Sequence, residues 1–562
     1  MLAFKNGKIL TVDRHFAVAE AVAIEGNRIA AVGGSEVVRP FIARGAQVID
    51  LAGRTVVPGL IDGHAHMDRE GLKSALPSLA GARSIADVLE RIAALATKAA
   101  PDEWIVTMPI GDPPEFENVP GCLKENRFPT RWELDKAAPR NPVLIRSIWG
   151  YWRTSLPLVS IANSRALALA GIGRNTLPPA PSVQIERDFA SGEPNGIFVE
   201  WNKMPVVEFT LMAAAPEFTV RERTDALLRS MEIYNSFGTT SVVEGHGAAA
   251  DVLEAYKGIR LNDRPTVRAT LAFSPAWSAV SSADCRALVA SWAQWLSGRG
   301  IGDDWLRIQG MYAEADSSPE RELRAKATPR TGWAGFHYDS SLPRDALKAV
   351  LREAARNGIR VTGILPDMLG IFREVAREAD FSGQRWTLGH ITALSRDEVA
   401  AIRDLGLVVT THTNAYLYKR GAQMLAQVGE ARENDIVPLR TLLDSGVPVS
   451  LATDNVPVSL WGPVWQTVAR RERQQGRRIA PGQALTRAEA LRCATMGGAY
   501  LAGEEHIKGS IETGKLADLV VLSDDPMGCD EDAIKDIVAT IVIVDGNIVY
   551  DRAAGGAVRR SG

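Results

Sequence analysis

Thr55-Val56-Val57-Pro58-Gly59-Leu60-Ile61-Asp62-Gly63-His64-Ala65-His66-Met67-Asp68 is the stretch that decides the fold. Its β-branched, apolar start reads as a buried strand, and Pro58-Gly59 punctuates it. In extended chain, residues i and i+2 point to the same side. His64 and His66 can therefore meet one cation at a strand mouth, with only Ala65 between them. Neutral imidazole is the commonest ligand for zinc-like ions. A bare His-x-His is also a common chance pair on a surface loop. The preceding Pro-Gly-Leu-Ile-Asp-Gly favours the strand mouth.

Working outward, both ends of the chain read as short strands and the middle does not. Lys8–Val12, Ala21–Ile24 and Ile29–Val32 are separated by turns such as Glu25-Gly26-Asn27. Leu519–Leu522, Ala539–Val544 and Ile548–Tyr550 repeat the style, with Asp545-Gly546-Asn547 between the last two. We expect a composite β-sandwich domain from residues 1–57 plus 508–562, with a larger domain, 58–507, inserted between its halves. That middle alternates strand and helix patterns. Strand candidates are 55–64, 239–244, 267–273, 306–313, 359–364, 386–390, 408–412 and 447–451, with helices such as 344–355 and 396–404. Eight such units predict an α/β fold, a (β/α)8 barrel of the TIM type. The gap between the first two strands is too long for a βα loop, so an insertion subdomain is expected at about 70–235.

In a parallel barrel, functional groups gather at the C-terminal ends of the strands. Those ends carry His64 and His66, then Glu244 and His246, then Tyr312, Glu314 and Asp316, then His390, His412 and Asp454. Five of the eight histidines in the chain fall there, which random placement would not produce. His15 and His506 read as surface residues and His337 as loop packing. Candidate metal ligands are His64, His66, Asp454, His390 and His246. Candidate substrate contacts are Glu244, Tyr312, Asp316, His412, Trp149 and Tyr151. Two aromatic groups could wall a pocket or simply pack: Trp149, Tyr151 and Trp152, and Tyr416, Tyr418, Trp461 and Trp465. Arg153, Lys419 and Arg420 could receive a carboxylate or stay solvated at the surface.

Bulk properties exclude several classes. The 562 residues are 46% hydrophobic and 23% charged, with net charge −3, so nothing favours nucleic acid or an anionic membrane. No apolar run approaches the roughly 20 residues of a membrane helix, and the first residues lack a signal-peptide core. Four scattered cysteines fit free thiols in a reducing cytoplasm.

VVPGLIDGHAHMD, GSIETGKLADLVVL and SLATDNVPV together resemble the amidohydrolase superfamily of metal-dependent hydrolases. SIANSRALALAGI and GEPNGIFVE within the insertion resemble its family 3 branch. The resemblance covers nearly the whole chain. It implies the barrel with its small β-sandwich, and hydrolysis at carbon–nitrogen or related bonds. By position, His64 and His66 match strand-one metal ligands, and His390 matches a ligand or substrate-polarising histidine. Asp454 matches the aspartate that binds metal and takes the water proton, so Asp454 and His390 are the catalytic candidates. Two departures stand out: Tyr312 takes the place of a strand-four lysine that bridges two metals, and Gly363 that of a strand-five histidine. One Zn2+ ion is therefore favoured over two, held by His64, His66, Asp454 and another group; the alternative is that His246, His412, Glu244 or Asp316 rebuild the site.

Three readings stay open on sequence. One is an amidohydrolase that cleaves a linear or cyclic amide in a small, partly apolar or aromatic molecule. The second is a deaminase of the same fold, and the third a degenerate barrel serving as a scaffold. No Gly-x-Ser-x-Gly nucleophile elbow supports serine chemistry. A homodimer or higher homo-oligomer is the expected assembly.

Overall fold

The computed structural model describes residues 1–558 except 114, 154, 263–264, 278–279, 281–283, 328–330 and 365–366. Pro58-Gly59 divides the opening stretch between two sheets. Thr55–Pro58 joins the sheet made by the chain ends, and Leu60–Ala65 opens the barrel. The continuous strand expected over 55–64 is thus broken in two. Gly59 sits at the break for a steric reason: a Cβ there would lie 2.0 Å from Thr240 Oγ1.

The barrel strands are β1 (Leu60–Ala65), β2 (Thr239–Ala248), β3 (Arg268–Phe273), β4 (Leu306–Tyr312), β5 (Val361–Gly363), β6 (Thr387–Leu388), β7 (Val408–Thr410) and β8 (Val449–Ser450). They pair in parallel, each with the next in sequence. Backbone bonds close the ring between β8 and β1: Gly63 N–H donates to Leu451 O at 2.9 Å and Asp454 N–H to His64 O at 2.9 Å. Helices between the strands cover the outside, as the alternating pattern demands. Arg344–Arg356, for example, buries Leu347, Val350, Leu351, Ala354 and Ala355, one stripe at helical spacing.

Two further sheets come from the chain ends. One contains Arg28–Gly33, Ala21–Glu25, Leu2–Lys5 and Gln47–Asp50 in that order. The other places Leu519–Leu522 beside Thr55–Pro58, so both ends of the chain share it. Buried Arg268 on β3 ties this layer to the barrel, donating to Asp518 at 2.7 and 3.1 Å and to Asp545 at 3.0 Å. Among the described residues, no helix is long and apolar enough to cross a membrane.

Between β1 and β2 the chain builds a five-stranded sheet, ordered Val183–Arg187, Pro194–Glu200, Leu158–Ala162, Val143–Ile145, Ile105–Thr107. Glu200 ends one strand with its side chain fully buried. It accepts bonds from Val207 N–H at 3.1 Å and the Ser147 hydroxyl at 3.4 Å. Burial pushes its carboxyl up to about 8, with the Val207 N–H opposing and Glu208 adding to the rise.

The unfolded chain releases this proton near 4.5, whereas the folded chain keeps it to about 8. Stability should therefore fall as pH rises through that window, by up to about 1.4 kcal/mol per pH unit. Thermal unfolding between pH 5 and 8 checks this. Glu200→Gln should flatten the decline, and an unchanged slope would refute the assignment.

Candidate metal centre

Six titratable side chains from five strand ends meet at the barrel mouth. His64 lies on β1 and His66 just beyond it, their ring centroids 5.1 Å apart. His246 enters from β2, with its Nδ1 3.1 Å from His64 Nε2. The flanking glycines make this approach possible. A Cβ on Gly245 would come within 2.0 Å of His64 Nδ1, and Gly247, at φ +80°, faces the Tyr312 Cβ. His390 and His412 follow β6 and β7, and Asp454 follows β8. His390 and Asp454 both adopt left-handed backbone, with φ of 55° and 53°. That conformation is uncommon outside glycine, although Asp and His adopt it more readily than most.

Asp454 is the hub. Its Oδ1 lies 2.7 Å from His66 Nε2 and 3.9 Å from His64 Nε2. Its Oδ2 lies 2.9 Å from His412 Nε2 and 4.0 Å from His390 Nε2. His64 Nδ1, His66 Nδ1, His390 Nε2 and His412 Nδ1 are buried without a hydrogen-bond partner. Ligand atoms of His64, His66, His246 and Asp454 fall within 4.8 Å of one another, so these four could hold one ion.

Burial sets the charge states. It holds His64 and His246 well below the ordinary imidazole range, and neighbouring histidines push the same way. It lowers His66 too, with Arg69 adding and Asp454 opposing, and brings His390 down to about 3 against the Asp454 charge. For Asp454, burial alone would raise the carboxyl, but His412 and His66 outweigh it and hold the group well below the usual range. The result is neutral imidazoles at His64, His66, His246 and His390 around an ionised carboxylate, which is a metal-ligating state.

Asp62 sets the geometry from beneath. It accepts bonds from His64 N–H at 3.1 Å, Thr453 N–H at 3.0 Å and the Thr453 hydroxyl, which joins β1 to the loop carrying Asp454.

The expected substrate contacts divide. His412 stands inside the cluster, not at its edge. Tyr312 lies 5.5 Å from His246, ring to ring. Trp149 lies edge-on to Phe336 at 6.1 Å, and Phe336 stacks on His246 at 5.4 Å. Tyr151 packs on Trp149 at 5.3 Å and is half exposed. Glu244 sits beside His66, where its buried carboxyl finds partners. Its Oε1 accepts from the Tyr256 hydroxyl at 2.6 Å and Asp68 N–H at 3.2 Å, and its Oε2 lies 3.9 Å from His66 Nδ1. Asp316 is drawn into an ion pair with buried Arg324. Trp461 and Trp465 belong to the core, bonded to Phe237 O and Asp532. Position 363 does not face the centre, since a Cβ there would press on Met368 and Phe372 of the next helix. Sequence reasoning missed Asp62, Arg69, Phe336 and Tyr256. Arg69 was within reach, three residues after His66, whereas Phe336 arrives from a long loop whose path no local pattern reveals.

A closed parallel barrel with clustered imidazoles and a carboxylate at its C-terminal mouth defines the framework of a metal-dependent hydrolase. Residues 47–550 match the family described as the Amidohydrolase family, and the chain belongs to it. The N-substituted formamide deformylase of Arthrobacter pascens is 28% identical, over 97% of this chain and 98% of that protein. Two solved structures share the fold. They are uncharacterized metal-dependent hydrolases from Pyrococcus horikoshii and Pyrococcus furiosus, with TM-scores of 0.67 and 0.66 and identities of 20% and 21%. Each aligns over 94% of this chain and 99% of its own.

Asp62→Ala would leave three buried donors without an acceptor, at about 1–3 kcal/mol for each. Scanning calorimetry should show a clearly lowered unfolding midpoint. A midpoint equal to that of the parent would mean that the clamp between β1 and the Asp454 loop carries no weight.

Proposed function

We propose that the protein is a metal-dependent hydrolase that cleaves the C–N bond of an amide or cyclic amide in a small, partly aromatic substrate. The observation that carries this reading is the convergence of imidazole Nε2 atoms on the buried Asp454 carboxylate, at 2.7 Å from His66, 2.9 Å from His412, 3.9 Å from His64 and 4.0 Å from His390. A buried carboxylate crowded by neutral ring nitrogens needs positive charge, and a cation among them would supply it. Neutral imidazoles and one carboxylate suit a zinc-like ion. His64, His66, His246 and Asp454 would hold it, with His390 and His412 alongside. One ion is favoured over two, because β4 ends in Tyr312 and position 363 faces the helix layer.

When bound, such an ion lowers the pKa of water and polarises a carbonyl. The remaining chemistry falls to the chain. Asp454, kept ionised by His412 and His66, takes the proton of the attacking water on its free lone pairs and returns it to the leaving nitrogen. His390 Nε2, buried and unpaired, offers a hydrogen bond to the developing oxyanion. Tyr312, Phe336 and Trp149 give an apolar wall against which a ring can lie.

Turnover of N-substituted formamides and cyclic amides, followed by release of amine and carboxylate, tests the reading. Asp454→Asn should lower kcat by about 100- to 10,000-fold, and a chelator should abolish turnover of the parent until zinc is restored. Release of ammonia from an amidine-type ring would assign a deaminase instead. Turnover that survives both the chelator and Asp454→Asn would overturn the proposal.

A further inference from the structure

Arg69 is 1% exposed, yet its only polar contact among the described residues is Asp68 Oδ1, at 3.4 Å from Nε. Both Nη groups, the forked edge of the guanidinium, make no hydrogen bond to a described residue. The group is held by rings: its Cζ lies 5.6 Å from the Trp149 centroid and 5.7 Å from that of Phe336. Phe336 in turn stacks on His246. The fork is therefore fixed in the aromatic wall of the candidate centre, one ring away from a metal-ligating imidazole.

A guanidinium held between two rings, with its fork bonded by no described residue, is placed to receive a ligand. The fork geometry suits a carboxylate, which takes two parallel N–H bonds from it. The approach carries charge of the same sign. Lys203 Nζ lies 5.2 Å over the ring of half-exposed Tyr151, and Arg420 Cζ lies 4.6 Å over Tyr416, whose ring is 5.6 Å from His412. Neither cation has a carboxylate within 4.0 Å among the described residues. Burial and then the Arg420 charge lower the Lys203 ammonium, with Asp454 opposing, so these groups share one electrostatic space.

We infer that Arg69 is a specificity-determining residue that receives a carboxylate of the substrate, with Lys203 and Arg420 drawing anions towards the mouth. The substrate class is then an amide bearing an aromatic group and a carboxylate. This refines the hydrolase reading and rests on it only for the word substrate, since anion binding itself needs no turnover.

The test uses the purified full-length protein and two probes of equal size, phenylacetate and phenylacetamide, with binding read by calorimetry. The parent should bind phenylacetate about tenfold or more tightly than phenylacetamide. Arg69→Gln should erase that preference and leave phenylacetamide affinity within about twofold. Arg69→Lys keeps the charge without the fork and should fall between the two, which decides the matter if the glutamine variant does not fold. Equal affinities in the parent would overturn the inference, and so would a preference that survives in Arg69→Gln or is undiminished in Arg69→Lys. A carboxylate seated on a metal ion would give that surviving preference. Hydrolysis of N-formylphenylalanine and N-formyl-2-phenylethylamine separates the two claims. If both stand, Arg69→Gln raises KM for the first substrate alone. Selective phenylacetate binding without turnover of either would sink the hydrolase reading and leave the anion site standing.

Discussion

The site depends on closure of the barrel between its first and last strands. Asp454 N–H bonds to His64 O, and Asp62 bonds to both His64 N–H and Thr453. These contacts bring residues nearly 400 positions apart in sequence to the 2.7 Å separation of His66 Nε2 and Asp454 Oδ1. The positive φ at Asp454 sits within that frame. Loosening the β1–β8 seam would release the carboxylate from two imidazoles at once.

The cluster's electrostatics follow from this closure and from burial. Each imidazole alone would titrate near neutrality. Packed together in an apolar mouth, most are held neutral and the lone carboxylate is held charged. Gly245 and Gly247 take part through the space they leave, since a side chain at either would collide with His64 or Tyr312. The tight Gly-His-Gly turn and the close approach of His246 are one feature.

Much of this was legible in the sequence. The eight strand patterns, the helices 344–355 and 396–404, and the histidines at strand ends all express local periodicity and placement, which a sequence carries directly. The Pro58-Gly59 break was visible as punctuation, but its consequence, two strands in two different sheets, was not. The partners of Glu244 and Asp316 were not legible for one physical reason. A carboxylate near a strand end goes to whichever partner tertiary packing supplies, and here those partners are Tyr256 and Arg324. Phe336 comes from the long stretch after β4, and Trp149 from the stretch between β1 and β2 that carries the five-stranded sheet. Their contact with His246 and Arg69 depends on how those segments fold back, which no local pattern encodes. Membership of the amidohydrolase family gives the framework and leaves the substrate undetermined.

The central claim is that imidazoles from β1 and β2 and the Asp454 carboxylate share one cation. Diffraction from crystals of the zinc-supplemented protein, with data on both sides of the zinc absorption edge, tests it most directly. The account predicts one strong anomalous peak within coordinating distance of His64, His66, His246 and Asp454. A map without a peak there, or with its strongest peak elsewhere on the chain, would contradict it.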